Sequence, residues 1–426
     1  MRKIDLVIIG GGAAGMSAAV AAKEEGCNNL LIIERNDSLG GVLHQCIHNG
    51  FGLHRFGEDL TGVEFAWRYE ELVEGYQIPY MLNTFVIDIS PDKIVTCVSP
   101  VEGLIKIQAQ AIILAMGCRE RSRNALLIPG TRGAGIMTAG TAQKYLNLMG
   151  YLPGKNVVIL GSGDIGLIMA RQFVMEGVKV SAVVEVMPYS GGLPRNMKQC
   201  IEDFDIPVYY SSTVSKICGR ERVSSVWVSK VNENREPIEG TEFEIPCDTL
   251  MISAGLIPEN ELTDGAGIAM SPMTKGAVVY ENNETSIEGI FSCGNVLHVH
   301  DLVDFVSEEG AQTGKYAYEY INSVNTTTEY IEEDDIKVEK GPGASAIVPQ
   351  RIHRNTSMDN ITFMFRPSFK KNDVTLCLSS GEKILVQKKM IAVTPGEMCK
   401  LVLPKEKLAE VKESVSISIH VNEKEA

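Results

Sequence analysis

Two short runs of apolar residues, at 6–9 and 157–160, each lead into a glycine-rich turn followed by small and apolar residues at helical spacing. A strand without polar positions is typical of a parallel sheet that is covered on both faces. Each helical stretch is followed by a second strand that ends in an acid, Glu34 or Glu185. The pattern therefore predicts two βαβ units.

Beyond each of these units the pattern changes to a strand meander. Alternating apolar and polar positions, which favour strands with one covered face, occupy 80–98 and 104–108 in the first copy and 208–214, 223–231 and 242–245 in the second. Each meander ends in an apolar run that closes on small residues, at 112–117 and 250–255. We therefore expect an α/β fold with two Rossmann-like, three-layer ββα domains.

The two copies also share a motif at a constant offset of 151 positions. Gly10, Gly12, Gly15 and Glu34 recur as Gly161, Gly163, Gly166 and Glu185. In this spacing the first glycine permits a tight turn, the second lets the backbone approach a pyrophosphate, and the third lets the helix pack on the strand. The acid can accept hydrogen bonds from ribose hydroxyls. A single copy is weak evidence, but a matched pair predicts two dinucleotide sites.

Composition narrows the class of protein. The chain has 426 residues and a formal charge of −14, which argues against a nucleic-acid-binding surface. Its ten cysteines contain no C-x-x-C pair, so we expect neither a zinc nor an iron–sulfur site and place the chain in the reducing cytoplasm. We reject a secretory signal at the N-terminus because three consecutive glycines interrupt the apolar run. No apolar run approaches the ~20 residues of a membrane span.

Together these features resemble the two-dinucleotide-binding flavoproteins, the pyridine nucleotide-disulfide reductase-like superfamily that includes glutathione reductase and thioredoxin reductase. Further matches are the runs 115–117, 255–258 and 285–295. The resemblance implies FAD in a discontinuous domain, 1–118 with 256–325, and a nicotinamide dinucleotide in 119–255. The last run usually ends in aspartate, but Asn295 stands here, and we expect its amide to hydrogen-bond a hydroxyl of the ribityl chain.

The resemblance gives the following candidate cofactor residues. For FAD they are Gly10, Gly12, Ala13, Ala14, Gly15, Glu34, Arg35, Gly40, Gly41, Val42, Ala115, Gly117, Gly294 and Asn295; for the nicotinamide dinucleotide they are Gly161, Gly163, Asp164, Ile165, Gly166, Glu185 and Gly255. We predict NAD(H) over NADP(H), because Glu185 would repel a 2′-phosphate and residues 186–192 contain no lysine or arginine. We expect Asp164 to face solvent or to cap the loop.

Five of the seven histidines lie in two stretches, 39–54 and 294–302, which the resemblance places beside the flavin. The candidate catalytic residues are Cys46, His48, His298 and His300. The histidines are suited to protonating a substrate or the reduced flavin near neutral pH. His44 and His48 stand at i, i+4, but no nearby carboxylate completes a ligand set, so we expect no metal.

The disulfide reductases of this superfamily carry a redox pair of cysteines, whereas Cys46 stands alone. A narrower resemblance, on 45–54, 138–143, 161–170 and 294–301, is to the larger subunits of hydrogen cyanide synthase and opine oxidases and to bacterial oxidoreductases that accompany glycerol-3-phosphate- or 2-hydroxyacid-dehydrogenase-like flavoproteins. It implies hydride transfer between nicotinamide and flavin in an electron-transfer subunit beside such a dehydrogenase. Two alternatives stay open: a stand-alone NADH oxidase or peroxidase using Cys46, and a non-catalytic flavoprotein scaffold.

The C-terminal part has its own pattern. Residues 326–345 contain an acidic run and a Gly-Pro-Gly and read as a linker. Short alternating runs over 346–426 predict a small all-β domain for docking or oligomerisation. The resembled cyanide synthase and opine oxidase subunits have a cysteine-rich C-terminal region. Only Cys377 and Cys399 occur here, so a bound cluster is not supported.

Overall fold

The computed structural model describes residues 1–323 and 335–422. The chain forms two compact units: unit 1 comprises Met1–Cys118 and Pro258–Ala426, and unit 2 comprises Arg119–Ile257. Unit 2 is therefore a single insertion into unit 1. In the described residues no helix combines the length and the apolar character that a bilayer span requires.

The first part of unit 1 contains the first predicted βαβ unit and its meander. Its elements are β1 (Arg2–Ile9), α1 (Ala13–Glu24), β2 (Leu30–Ile33), β3 (Asn49–Phe51), β4 (Leu60–Thr61), α2 (Gly62–Gly75), β5 (Tyr80–Met81), β6 (Phe85–Ile89), β7 (Ile94–Ser99) and β8 (Gly103–Leu114). The main sheet has the order β5-β2-β1-β8-β7-β6. Strands β1 and β2 are buried on both faces toward their carboxyl ends, as their unbroken apolar runs predict.

The first meander and its closing strand are not separate elements. The expected run 104–108 and the first three residues of the run 112–117 form one strand, β8, which pairs antiparallel with β7 and parallel with β1. The alternating half of β8 has one face in solvent, whereas its last four residues are all buried. A change of burial along one continuous strand therefore produced the pattern of two segments.

Unit 2 contains the second copy. Its elements are β9 (Cys118–Glu120), β10 (Ile136–Thr138), α3 (Ala139–Asn147), β11 (Asn156–Leu160), α4 (Asp164–Met175), β12 (Lys179–Val184), α5 (Pro194–Cys200), β13 (Val208–Tyr209), β14 (Ser212–Cys218), β15 (Ser225–Lys230), β16 (Phe243–Pro246) and β17 (Thr249–Ile252). A five-stranded parallel sheet has the order β10-β17-β11-β12-β13. The meander β14-β15-β16 is a separate antiparallel sheet.

The chain then returns to unit 1 through β18 (Leu256–Pro258), α6 (Glu261–Gly265), β19 (Ile290–Ser292) and α7 (Val303–Ser323). Strand β19 pairs parallel with β8 and extends the main sheet. Helix α7 packs on α1 through glycines: a Cβ built at Gly310 would lie 2.4 Å from the Ala14 carbonyl oxygen, and one at Gly314 would lie 2.1 Å from that of Ala18. This close approach buries α1 from Ala13 to Ala22.

The C-terminal strands are β20 (Asp335–Lys340), β21 (Ala344–Val348), β22 (Arg351–His353), β23 (Asn360–Pro367), β24 (Lys371–Ser380), β25 (Lys383–Val393), β26 (Cys399–Pro404) and β27 (Ser414–Val421). They form two sheets, β22-β20-β27-β24-β25 and β21-β23-β26, whose inner faces share one apolar core. We call this region the C-terminal sheets. It has the two-sheet arrangement of a β-sandwich.

The linker expected at 326–345 is wrong where the structure describes it. Residues 335–340 form β20, which pairs parallel with β27, and β21 begins at Ala344. The acidic and glycine-rich composition concealed these strands, because only Ile336 and Val338 of β20 point into the core. Residues 326–334 of the expected linker lie outside the described residues.

Candidate flavin and nicotinamide sites

The glycine loop of unit 1 connects β1 to α1. Gly10 has φ +106°, and a Cβ there would lie 2.4 Å from the Ala115 carbonyl oxygen. A Cβ at Gly15 would lie 1.8 Å from the carbonyl oxygen of Gly10. Around Gly12, by contrast, a Cβ would meet no described atom within 4 Å. The first and third glycines are thus required by the protein itself, whereas the space at the second is open to a ligand.

Glu34, at the end of β2, is tied to this loop. Its Oε2 accepts a hydrogen bond from the Gly11 N–H at 2.7 Å, and its Oε1 accepts from the Asn36 backbone N–H and side-chain amide at 2.8 Å each. The carboxylate is buried, and each oxygen has two acceptor positions. Glu34 therefore has capacity left for a ribose hydroxyl while it also holds the loop in shape.

The loop of unit 2 has the same construction. Gly161 has φ +103° with a built Cβ 2.1 Å from the Ser253 carbonyl oxygen, and Gly163 again has no described atom within 4 Å. Glu185 Oε2 accepts from the Ser162 N–H at 2.8 Å, and Oε1 accepts from the Met187 N–H at 2.8 Å. The backbone N–H partners of this acid correspond in sequence to those of Glu34, and the Ser162 hydroxyl adds a further hydrogen bond at 2.6 Å. The repeat therefore extends to hydrogen bonds that the motif alone does not reveal.

Helices α1 and α4 begin at these loops, and no described side chain caps either N-terminus. Uncapped N–H groups and the helix dipole together favour a phosphate. Asp164 is half-buried, and it binds a neighbouring segment rather than capping its own loop. Its Oδ1 accepts from the Leu193 N–H at 2.8 Å and from the Asn196 amide at 2.6 Å, because residues 190–196 fold back over the start of α4.

The sheet order of unit 1 gives the direction in which a dinucleotide would lie. Glu34 follows β2 on one side of β1, whereas Gly294 follows β19, beyond β8 on the other side. A pyrophosphate at the start of α1 therefore separates a ribose end near Glu34 from an end near Gly294. Gly294 is close to α1, since its built Cβ would lie 2.8 Å from the Ala14 Cβ. These residues fit an extended dinucleotide such as FAD.

The other expected FAD residues lie at different positions around the glycine loop of unit 1. The Gly40 N–H donates to the Gly11 carbonyl at 2.9 Å, and a Cβ at Gly41 would lie 3.4 Å from Gly12 Cα, so this turn covers the loop. Ala13 and Ala14 form the buried start of α1. Arg35 and Val42 are exposed. In unit 2 Ile165 is half-buried on α4, and Gly255 is exposed with φ +93°.

Within the stretch 39–54, His44 has a structural position. Its Nε2 donates to the Leu39 carbonyl at 2.6 Å and lies 3.1 Å from a carboxylate oxygen of Glu70. Cys46 is buried, and its thiol donates to the Val42 carbonyl at 3.5 Å. Burial raises the pKa of Cys46 to about 12, so it is a thiol rather than a thiolate at neutral pH. All ten cysteines are free thiols.

The end of the stretch 39–54 contacts the start of α7, directly after the stretch 294–302. The buried carboxylate of Asp304 accepts hydrogen bonds from the backbone N–H groups of Gly52, His54 and Arg55 at 2.9–3.0 Å. The imidazole of His54 stacks on Phe305, with ring centroids 5.4 Å apart. His48 is half-buried, and its Nδ1 lies 3.1 Å from the Asn49 carbonyl oxygen. Asp304 therefore positions a loop that sequence reasoning had not connected to it.

His298 and His300 are buried beside the half-buried Glu309, a residue that the sequence did not indicate. The Nε2 of His298 lies 2.7 Å from Glu309 Oε1, and that of His300 lies 3.6 Å from the same oxygen. The Gly294 N–H donates to Glu309 Oε2 at 2.6 Å. Ligand atoms of the three side chains lie within 4.8 Å of one another, so they could hold a metal ion. The 2.7 Å separation, however, is that of a hydrogen bond.

Comparison with known proteins identifies the family. Residues 4–319 match the family model described as pyridine nucleotide-disulphide oxidoreductase. The chain belongs to this family. Its members bind FAD and NAD(P)H, so the chain is an FAD- and nicotinamide-dependent oxidoreductase. The predicted fold class and cofactors are confirmed at this level.

Individual relatives are distant. An opine oxidase subunit of Agrobacterium tumefaciens is 25% identical over 281 residues, which cover 62% of this chain and 54% of that protein. The hydrogen cyanide synthase subunit HcnB of Pseudomonas protegens is 25% identical over 282 residues, covering 62% and 58%. The chain thus spans little more than half the length of these relatives. The solved T. acidophilum thioredoxin reductase has a TM-score of 0.63 at 24% identity, covers 76% of this chain and all of its own, and shows the fold.

Proposed function

We propose that this member of the pyridine nucleotide-disulphide oxidoreductase family transfers a hydride between NAD(H) and FAD and works as the electron-transfer subunit of a dehydrogenase complex. One observation carries the proposal. Each unit has a complete glycine loop with an open second glycine, yet the one cysteine of the flavin-side stretch is a buried thiol. Electrons thus have an entry but no thiol relay by which to leave.

The residues of the chain would bind and orient both cofactors. The open backbone at Gly12 and Gly163 lets each pyrophosphate approach its helix, and Glu34 and Glu185 offer acceptors for the ribose hydroxyls. When bound, FAD and the nicotinamide supply the hydride chemistry, and the protein supplies position and electrostatics. His48, His298 and His300 stay candidates for holding a proton, with Glu309 as the partner of the last two.

The nicotinamide site supports NAD(H) in preference to NADP(H). Glu185 is buried and held in place by the Ser162 and Met187 N–H groups, so its negative charge cannot turn away from a 2′-phosphate. A phosphate there would meet a fixed carboxylate at short range. The ratio of kcat/KM for NADH and NADPH measures this preference, and comparable values for the two would contradict it.

The acceptor is proposed to be a partner. The two relatives compared above are each subunits of an oxidase or synthase, which supports a partner for this chain as well. A glycerol-3-phosphate- or 2-hydroxyacid-dehydrogenase-like flavoprotein is the partner that we propose, with the C-terminal sheets for docking or oligomerisation. Ten free thiols are consistent with the reducing cytoplasm that we expect.

The test uses the purified chain with its FAD. Under anaerobic conditions NADH should bleach the oxidised flavin absorbance, and reoxidation in air should be slow. Addition of 2,6-dichlorophenolindophenol, an artificial acceptor, should give rapid turnover. A Gly161→Ala variant is the matched control, since its extra methyl would clash in the loop of unit 2 while unit 1 keeps its FAD.

Two results would contradict the proposal. Rapid turnover with oxygen or peroxide alone, lost in Cys46→Ala, would establish a stand-alone oxidase or peroxidase. Bound FAD that NADH does not bleach would favour a scaffold. Cys46 already argues against the first alternative, because a thiol with a pKa of about 12 is a poor nucleophile at neutral pH.

A further inference from the structure

The cluster of His298, His300 and Glu309 contains one polar atom without a partner. His298 is 2% exposed, and its Nδ1 has no hydrogen-bond partner among the described residues. A buried polar group left unsatisfied costs about 1–3 kcal/mol. Such a cost in an otherwise paired cluster indicates that a bound molecule supplies the missing partner.

The hydrogen bonds of the cluster identify which partner is missing. Burial and the neighbouring His300 lower the pKa of His298, so that its imidazole is neutral and carries one hydrogen. Burial opposes ionisation of Glu309, but the two facing histidines outweigh it and lower the pKa of that carboxyl. The Nε2–H of His298 therefore donates to the carboxylate of Glu309. Nδ1 is left as a bare acceptor that needs an O–H or N–H donor.

The position of the cluster limits the source of that donor. Glu309 receives the N–H of Gly294, and both Gly294 and Gly310 lie against Ala14 in the first turn of α1. The cluster is therefore next to the helix end that would take the pyrophosphate, on the side away from Glu34. Since Glu34 serves the adenosine ribose, the hydroxyls near Gly294 are those of the ribityl chain.

Asn295, the residue expected to bind these hydroxyls, already has one partner for its amide oxygen and one for its amide nitrogen. Its Oδ1 accepts a hydrogen bond from the His300 N–H at 3.0 Å, and its amide nitrogen lies 3.7 Å from the sulfur of Cys118. The side chain thus fixes the turn that carries the histidines. We propose that His298, held by Glu309, supplies the acceptor for a ribityl hydroxyl of FAD in place of the Asn295 side chain. The proposal rests on FAD binding at the glycine loop of unit 1.

The test measures the FAD dissociation constant of apoprotein from which the flavin has been removed. His298→Gln can place an amide N–H where Nε2–H donates to Glu309, but its carbonyl oxygen does not superpose on Nδ1. Loss of one buried acceptor should weaken FAD binding about tenfold. His420→Gln, a change on β27 in the C-terminal sheets, is the control and should bind FAD within about twofold of the wild type.

FAD analogues that each lack one ribityl hydroxyl provide a second test, which needs only the wild-type fold. One analogue should bind the wild type about tenfold more weakly than FAD does, and the same analogue should bind His298→Gln as well as FAD does. Equal FAD affinity in His298→Gln and wild type would overturn the proposal. So would one equivalent of metal in the purified protein that the variant loses.

The test of His298 and the test of the proposed function can fail independently. Bleaching by NADH is measured on wild type with FAD bound, and it does not depend on which side chain contacts the ribityl chain. If His298→Gln binds FAD as tightly as the wild type while NADH still bleaches the wild-type flavin, only the role of His298 is contradicted. If His298→Gln binds FAD more weakly but NADH does not bleach the wild-type flavin, the proposed function is contradicted and the role of His298 is retained.

Discussion

The two glycine loops have nearly the same backbone and different surroundings. In both, the first glycine has φ above +100°, the second faces open space, and the acid of the second strand accepts N–H groups from the loop. Around the loop of unit 1, however, α7 covers α1 and brings the carboxylate of Glu309 to Gly294. In unit 2 the segment that Asp164 holds covers the start of α4.

This difference separates what a dinucleotide fold requires from what a particular cofactor requires. The glycines and the acid maintain the loop, and they are common to both copies. The covering helix α7 belongs to unit 1. A larger part of α1 than of α4 is buried, which suits a cofactor that stays bound. The start of α4 is less buried than the start of α1, which suits a dinucleotide that must bind and leave in every turnover.

The largest expected effect comes from the first glycine of each loop. In Gly10→Ala or Gly161→Ala the new methyl would lie 2.4 or 2.1 Å from a carbonyl oxygen, at a φ that L-residues rarely adopt. Each change should destabilise its loop by roughly 3 kcal/mol. Gly10→Ala should lose FAD, whereas Gly161→Ala should keep the yellow flavin and lose reduction by NADH. Absorbance spectra and NADH titration check this.

The control for this pair is Gly75→Ala, at the end of α2, where a Cβ has no described atom within 4 Å. It should leave both FAD content and NADH reduction unchanged. If Gly10→Ala and Gly161→Ala both release FAD, the two loops do not act independently, and the assignment of one cofactor to each fails.

A smaller effect is expected from the acids. Glu34→Gln and Glu185→Gln each replace one oxygen by an amide that faces a backbone N–H, which should cost about 1–3 kcal/mol. Glu34→Gln should raise the FAD dissociation constant by about tenfold, and Glu185→Gln should raise the KM for NADH by a similar factor with FAD still bound. Glu176→Gln, exposed just after α4, should change neither quantity.

The pH dependence of stability should report the buried histidine. Because the pKa of His298 is lowered in the folded state, only the unfolded chain gains a proton there as the pH falls below about 6.5. The free energy of unfolding should therefore decrease as the pH falls from 6.5 to 5.5. In His298→Gln this part of the decrease should disappear. Identical slopes for wild type and variant in urea titrations would contradict the assignment.

The smallest expected effect is that of Cys46. Since burial raises its pKa to about 12, we expect the thiol to stay protonated between pH 7 and 9 and to take no part in the reaction. Cys46→Ala should reduce dichlorophenolindophenol with NADH at a rate within about twofold of the wild type. A loss of an order of magnitude, with FAD still bound, would show that the thiol participates.

The sequence was sufficient to predict the structural features that occur in both copies of the repeat. Unbroken apolar strands and a 151-residue offset predicted both βαβ units and both loops, because buried parallel strands and pyrophosphate turns tolerate few residue types. It failed where a contact depends on how a turn folds or where composition is misleading. Glu309 lies 11 residues after His298 in the sequence, and the two meet because the turn that begins at Gly294 folds back on α7. The charged, exposed face of strand β20 predicts a linker in place of the strand.

The central claim is that NADH reduces the flavin and that no thiol pair stores further electrons. The most direct measurement counts the equivalents of NADH that complete the anaerobic reduction of the FAD-loaded chain. One NADH per FAD, followed by no further uptake, is the result that the account predicts. Two NADH per FAD would show a second two-electron acceptor within the chain and would contradict it.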